Sequence, residues 1–485
     1  MALAGVRVHQ PDQALLGFYA SMEHLCSVAG PLLDHISLSA IITATAQLWT
    51  SAQANSSFKP NDNSAAFELK RVYCSTLLQL KPMLPIVEAR QISNILWSSA
   101  KLGLNPDAFV PGMTDALAAK LLQVTKGAAR RHPNAQEAAT FLWALATLGH
   151  EPADKGLVDV VCKHSAGLIK HHDDSKQPNA QDCANLLWAL ATLGHYPTDK
   201  GLVDAVCNHF VMLIRHHDAR QRPFSQGVSN VMWALAELNH APPDGAASAI
   251  LEWFTELCKL TGQEPNAQEL SNILLACAVL RFKVKGHVRL ALVDGLLRLG
   301  RASCHKQHYC NAAWSSAVLD MLSVDTFSLI LERLQPLPVA DQAHDVLLRQ
   351  DLSQLYQALD SLQPLPSAAV QHLQELMSSL GPRPLLLERT AAELSASKHL
   401  CAALGKLGLA FTTNVSLSGY RAAAVLQPHD GVTVPVVLVT KPFERFRNKD
   451  GRCAFFLSSL FIIIALHGQK VTLCPHSSDR HNITP

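Results

Sequence analysis

The chain has 485 residues, 48% hydrophobic and 16% charged, enough apolar material for buried cores and too much for wholesale disorder. Its formal net charge is +2 with 23 histidines uncounted, so no global basic excess advertises nucleic acid and any such surface must be local. Twelve cysteines without a CxxC pair, mostly set among apolar residues, read as reduced packing residues of a reducing compartment rather than a disulfide framework.

In chain order, residues 1–35 form an N-terminal segment whose first stretch, Met1 to Gly30, contains Asp12 and Glu23. It has neither a signal-peptide apolar run nor an Arg/Ser-rich transit pattern. Residues 36–362 then repeat themselves. Asn134 to His150 (NAQEAATFLWALATLGH) recurs as Asn179 to His195 (NAQDCANLLWALATLGH), more loosely as a stretch ending at His240, and again as NAQELSNILLACAVLRF ending at Phe282. Aligned on tryptophan, the copies place Trp97, Trp143, Trp188, Trp233, Leu275 and Trp314 in one slot, at spacings of 46, 45, 45, 42 and 39. Weaker copies lie around Thr43 and Gln357. A period of roughly 34–47 residues belongs to paired-helix solenoids.

Within a copy, Asn134, Asn179 and Asn266 follow a proline and precede, by three residues, Glu137, Asp182 and Glu269. That is a capping-box variant that opens a first helix. The helix ends at Gly149 or Gly194 with Pro152 or Pro197 beyond. A second helix follows, over Lys155–His172 and Lys200–His217, two nearly identical stretches offset by 45 that point to a tandem duplication. The expected fold is mostly α: an α-solenoid of about eight two-helix repeats, whose stacked units leave a long surface fit for a linear polymer.

On a helical wheel, Leu186, Leu190 and Leu193 form the core stripe of one copy. Opposite lie the tryptophan slot and two others. The slot seven residues before it holds Arg90, Gln136, Gln181, Gln226, Gln268 and Gln307. The slot three before it holds Asn94, Thr140, Asn185, Asn230, Asn272 and Asn311. Amides and guanidinium could bond base edges or phosphates while indoles stack bases. Equally, neighbouring repeats could cover both sides, making the tryptophans packing and the asparagines an inter-repeat ladder. Lys126, Arg130, Arg131, Lys170, Arg215, Arg220 and Arg222 cluster at the ends of the second helices. They could neutralise phosphate or simply complement the helix dipole.

No metal, cofactor or catalytic group is expected. His171, His172, Asp173 and Asp174, with their copy His216, His217 and Asp218, read as solvated helix ends, because adjacent histidines point about 100° apart. Cys304, His305, His308 and Cys310 are a better ligand set but lack a distant second pair. The run Ala454 to Leu466 includes Ser458 and Ser459 and is too short for a membrane span of roughly 20 residues. It reads as a buried helix.

The LWALATLGH core, the preceding PNAQ and the iterated two-helix unit resemble the octotricopeptide repeats of green-algal organelle proteins, relatives of the FAST kinase-like mitochondrial RNA regulators. The resemblance covers Leu38 to Leu362. It implies binding of single-stranded RNA, control of transcript maturation, stability or translation in chloroplast or mitochondrion, ribonucleoprotein partners, and a C-terminal RAP domain. Beyond a linker over residues 363–390, rich in proline (Pro364, Pro366, Pro382, Pro384), residues 391–485 fit that last point. Leu400–Leu409 resembles its opening helix; Val434–Asn448 and His467–Pro475 resemble its strand, loop and final strand, with the apolar helix Cys453–Leu466 between them. A small α/β, restriction-endonuclease-like domain is therefore expected. Its usual acidic slots fall on Ala424, Leu438 and Thr440, which cannot hold magnesium as carboxylates would, and the terminal aromatic motif is missing. The leading expectation is an RNA-binding regulator. A scaffold for an extended peptide comes second, and an RNA endonuclease third.

Overall fold

The computed structural model describes residues 11–29, 32–53, 63–127 and 131–335, apart from positions 155, 172, 200, 261, 263, 283 and 300–302. It also describes 354–362 apart from 357 and 360, residues 367–380, and five strands between 411 and 475. They fall into two compact units, Met1–Glu264 and Pro265–Pro485.

The first unit contains α1 (Pro11–Ala29), α2 (His35–Gln53), α3 (Asn63–Leu80), α4 (Ala89–Leu102), α5 (Met113–Lys126) and α6 (Ala135–Leu148). It continues with α7 (Leu157–Ile169), α8 (Ala180–Leu193), α9 (Gly201–Ile214), α10 (Ser225–Glu237) and α11 (Ala246–Leu257). Even-numbered helices from α2 to α10 pack one on the next in a row, and each packs on the odd-numbered helix that follows it. A second row runs α5, α7, α9, α11. At its start α1 packs on α3, and a 3-10 turn over Lys81–Ile86 bridges α3 to α5. The segment before residue 36 thus contributes a packed helix, α1, which carries no repeat signature.

The second unit contains α12 (Ala267–Val279), α13 (Gly286–Arg298), α14 (Lys306–Val318) and α15 (Val324–Leu334). Residues 354–356 and 358–359 are also helical. Next comes α16 (Ser367–Leu380), inside the stretch expected to be a linker. It packs on α15, burying Leu373 and Met377, and Gln335 Nε2 donates to the Leu376 carbonyl. Among the described residues, five helix pairs in the first unit and the pairs α12/α13 and α14/α15 in the second carry the repeats.

The local chemistry repeats with the pairs. Asn179 Oδ1 accepts from the Asp182 amide at 2.9 Å while Asp182 returns an acceptor to the Asn179 amide at 3.0 Å, a reciprocal cap. At the other end Gly194, at φ 62°, lets His195 N reach the Leu190 carbonyl and closes the helix in a left-handed turn. Asn239, Arg281 and Asp320 occupy the same place in later pairs, at φ 47°, 52° and 53°. A side chain at such an angle costs roughly 1–2 kcal/mol. Asp320→Gly is therefore expected to raise the unfolding free energy by roughly 1 kcal/mol, measured by urea denaturation; a loss would mean the Asp320 side chain anchors the turn.

One contact stitches each repeat to the next, and a second ties the two helices of a repeat together. His150 Nε2 lies 3.0 Å from Asp115 Oδ1, His195 Nε2 3.2 Å from Asp159 Oδ1, and His240 Nε2 2.7 Å from Asp204 Oδ1. In each case the histidine after a first helix reaches the opening turn of the preceding second helix. Burial pulls the Asp115 and Asp159 carboxyls upward, but donation from the Ala153 and Thr198 amides and from the histidines outweighs it, leaving both below the ordinary aspartate value. At the opposite edge His164 Nε2, His209 Nε2 and Trp253 Nε1 hold the carbonyls of Pro133, Pro178 and Pro223 at 2.6, 2.7 and 2.8 Å. These carbonyls sit just before a helix start, where only a side chain or water can satisfy them.

The C-terminal part departs from expectation. β1 (Phe411–Leu417), β2 (Tyr420–Leu426), β3 (Val434–Thr440), β4 (Leu460–Leu466) and β5 (Gln469–Pro475) form a meander in sequence order, antiparallel throughout. Strands do fall at Val436–Val439 and Val471–Leu473. The segment read as a buried helix, however, ends as β4, with Ile462 opposite Leu438 and Leu460 opposite Thr440. Its Phe461-Ile462-Ile463-Ile464 core consists of aromatic and β-branched residues that favour strand, and an unbroken apolar run has no period to separate the two states. No helix accompanies this sheet among the described residues, so the RAP-like α/β arrangement is not supported. The expected opening helix Leu400–Leu409, the linker prolines and the loop after Thr440 lie outside the described residues. No described helix is long and apolar enough to cross a membrane.

Candidate nucleic-acid interface

Each first helix of the first unit is covered on nearly every side. In α8 the residues Ala180, Asp182, Cys183, Ala184, Leu186, Leu187, Ala189, Leu190 and Ala191 are buried; Leu193, the last of the expected core stripe, is half-buried. What stays open is a stripe at helical spacing: Gln181 exposed, Asn185 and Trp188 half-buried, Thr192 exposed. The same stripe reads Arg90, Asn94, Trp97, Lys101 in α4, Gln136, Thr140, Trp143, Thr147 in α6 and Gln226, Asn230, Trp233, Glu237 in α10. Arg90, Gln136, Gln181 and Gln226 are all exposed. Gln181 Nε2 donates to Asn185 Oδ1 at 2.8 Å. Among the described residues, Arg90, Gln136 and Gln226 have no side-chain hydrogen bond.

The indoles lie in a file. Trp143 and Trp188 have ring centroids 6.3 Å apart, tilted by 36°, and Trp188 and Trp233 are 6.4 Å apart, tilted by 34°. Lys101 Nζ sits 5.1 Å from the Trp143 centroid, a cation over an aromatic face. Sequence reasoning passed over the fourth position of the stripe, Lys101, Thr147, Thr192 and Glu237. The signal was there: four residues beyond the tryptophan is the same helix face. Trp188→Ala is expected to perturb the near-ultraviolet circular dichroism of its two neighbours as well as remove its own band; loss of a single indole's contribution would show that the rings do not interact.

The cations divide. Lys126, Lys170 and Arg215 end α5, α7 and α9 exposed, and among the described residues none of them is in an ion pair. Each heads the chain into the next first helix, so it stands at the helix end that carries the exposed glutamines. Arg131 instead pairs with the buried Glu137 at 3.1 Å. Arg220 makes two bonds to Asp218, at 3.1 and 3.0 Å. Arg222 donates to the His216 carbonyl and lies over Trp253 at 5.5 Å. These three are engaged within the fold, and Arg130 lies outside the described residues. Arg131→Ala would leave the Glu137 carboxylate buried against its own cap, an expected loss of about 1 kcal/mol in urea denaturation; no change would mean the pair is fully screened.

In the second unit the same slots are knitted together. Gln268 Nε2 donates to Asn272 Oδ1 at 2.7 Å, and Gln307 Nε2 to Asn311 Oδ1 at 2.9 Å. His308 Nε2 reaches Gln268 Oε1 at 3.1 Å, Asn311 Nδ2 donates to Ser271 Oγ at 3.3 Å, and Gln354 Nε2 donates to Asn311 Oδ1 at 3.3 Å. Gln268 is exposed, Gln307 and Asn272 are half-buried, and Asn311 is buried, 8% exposed. Leu275 replaces the indole and is buried.

The histidine clusters serve turns. The Asp173 and Asp218 amides donate to Nδ1 of His171 and His216, and His216 stacks on His217 at 4.3 Å; His172 lies outside the described residues. His308 uses both ring nitrogens, Nδ1 accepting from the His305 amide and Nε2 donating to Gln268. Burial, then His305 beside it, pushes its pKa down to about 4. Buried Cys162, Cys207 and Cys277 have thiols pushed up to about 12, chiefly by desolvation, and so behave as small apolar residues. Ala424, Leu438 and Thr440 lie on β2 and β3, opposite Val436, Ile462 and Leu460.

No family model matches the chain, and no curated protein matches it. Among solved structures, the crystal structure of an engineered protein is similar over 76% of this chain and 99% of its own, at 15% identity and a TM-score of 0.34, too low to carry an argument about fold or function.

Proposed function

We propose that the chain binds single-stranded RNA along the open stripe of its first helices and regulates organellar transcripts through their maturation, stability or translation. The observation that carries this reading is the exposed file Arg90, Gln136, Gln181, Gln226 on successive helices, beside half-buried indoles. Planar donors and acceptors next to aromatic faces suit unstacked bases, which helical-repeat proteins take at one base per repeat. Lys126, Lys170 and Arg215 at the same helix ends supply cations for the phosphates. The organellar compartment and ribonucleoprotein partners follow from the resemblance of the repeats. Binding along this stripe needs no chemistry.

The test is retention of a random single-stranded RNA pool by the purified full chain at two salt concentrations. Retention at low salt that weakens steeply at high salt, with a short sequence enriched, is the expected result. RNA that washes through at low salt, with retention of an extended peptide library instead, would replace this reading with a protein scaffold.

A further inference from the structure

The two units treat the same slot differently. In the first, Arg90, Gln136 and Gln226 are exposed and without a side-chain hydrogen bond among the described residues, and Gln181 is bound only to Asn185 on its own helix. In the second, Gln268 is tied across helices to His308, and Gln307, bound like Gln181 to the asparagine on its own helix, is half-buried beside Asn311, which is itself tied to Ser271 and Gln354. An amide that already bonds a neighbouring repeat must break that bond to meet a base, and a bond so exchanged yields little net free energy. The aromatic neighbour changes too, since the indole file Trp143, Trp188, Trp233 gives way to buried Leu275. Exposed cations end second helices in both units, Lys126, Lys170 and Arg215 in the first and Arg298 and Arg333 in the second, so the amides and the indoles, not the cations, distinguish the two.

We propose that RNA contact is confined to the first unit, through Arg90, Gln136, Gln181 and Gln226, and that Gln268, Gln307, Asn311 and His308 form a structural lock in the second. This rests on the RNA reading above. At one base per repeat the site holds about four nucleotides instead of the six that the sequence slots would allow. The amide stripe is one motif with two uses, ligand contact where it is open and inter-repeat fastening where it is bonded.

The experiment measures affinity of the full chain for single-stranded RNA oligonucleotides in a length series from about three to about eight nucleotides. Three multiple variants are measured beside the wild type, each with its thermal unfolding. Affinity should stop rising beyond about four nucleotides. Gln136→Ala/Gln181→Ala/Gln226→Ala should weaken binding about tenfold or more without moving the unfolding midpoint. Changing the same three residues to Glu should weaken it further by repelling phosphate. Gln268→Ala/Gln307→Ala should leave affinity within about twofold while lowering the unfolding midpoint. Binding that weakens equally in both Ala variants, or is unchanged in the first, or climbs through about six nucleotides, overturns the confinement and leaves the RNA reading standing. A wild type that retains no RNA overturns both.

Discussion

Phe210→Ala is expected to lower the unfolding free energy by about 3–5 kcal/mol. Phe210 is fully buried in α9, a helix that packs on α7, α8 and α11. Truncation removes the ring's transfer free energy and leaves a void that four helices cannot close without giving up their own contacts. Because a stacked array is stabilised between nearest neighbours, the loss should be local. Hydrogen exchange should accelerate in α7 to α11 and hardly at all in α2 and α3. A destabilisation below about 1 kcal/mol would mean the site collapses around the gap.

Acid should act on Asp182 and on His308 in opposite directions. Asp182, in the second turn-forming cap of the 45-residue duplication, is 5% exposed and desolvated, and its carboxyl is pushed up to about 6 despite the bond from the Asn179 amide. Glu137, in the same place one repeat earlier, has Arg131, whereas Lys176 turns to Asp173 at 3.9 Å and leaves Asp182 without an ion pair among the described residues. A carboxyl whose folded pKa is raised penalises folding above it. The penalty is complete above about 6 and vanishes as pH falls below the unfolded value of about 4. His308 is the reverse. A histidine whose folded pKa is lowered from 6.5 to about 4 contributes stability in full above 6.5, and that stability is lost as pH falls toward 4. Asp182→Asn, which keeps the acceptor oxygen, should therefore gain about 2 kcal/mol at pH about 8 and almost nothing at pH about 4. His308→Gln should remove the acid sensitivity of the second unit, also about 2 kcal/mol across that window. Denaturant midpoints at the two pH values decide both. A pH-independent difference for either variant would mean that its side chain does not titrate in the folded state.

The helix pairs were legible because LWALATLGH recurs nearly unchanged. That near-identity fixes which residues share a slot, and PNAQ and the terminal glycines bound the helices. The open stripe followed from the same wheel, and the exposed Arg90, Gln136, Gln181 and Gln226 occupy it. What escaped has physical reasons. Helix α1 has no repeat signature, although its Tyr19 and Cys26 pack with residues of α2 and α3, the first repeat pair. Helix α16 follows two prolines that suggested a linker. Asn311 looks like Asn185 in sequence, and only the neighbouring repeat decides that it is bonded across helices. The sheet was hidden by the run Phe461 to Ile464, an unbroken apolar stretch without the alternation that marks a strand. The histidines of LGH were visible as part of a motif, yet their aspartate partners lie 35 or 36 residues earlier, beyond any local pattern.

Those histidine–aspartate pairs bear on how such a chain grows. Asp159 and His195 belong to consecutive copies, as do Asp204 and His240, and each copy carries one half of the fastening on each side. An in-frame duplication of 45 residues, such as the one that relates Lys155–His172 to Lys200–His217, therefore recreates both junctions at once, and a deletion of the same length rejoins the remaining ends without a misfit. Length becomes a heritable variable that can change in whole steps while every interface stays as it was.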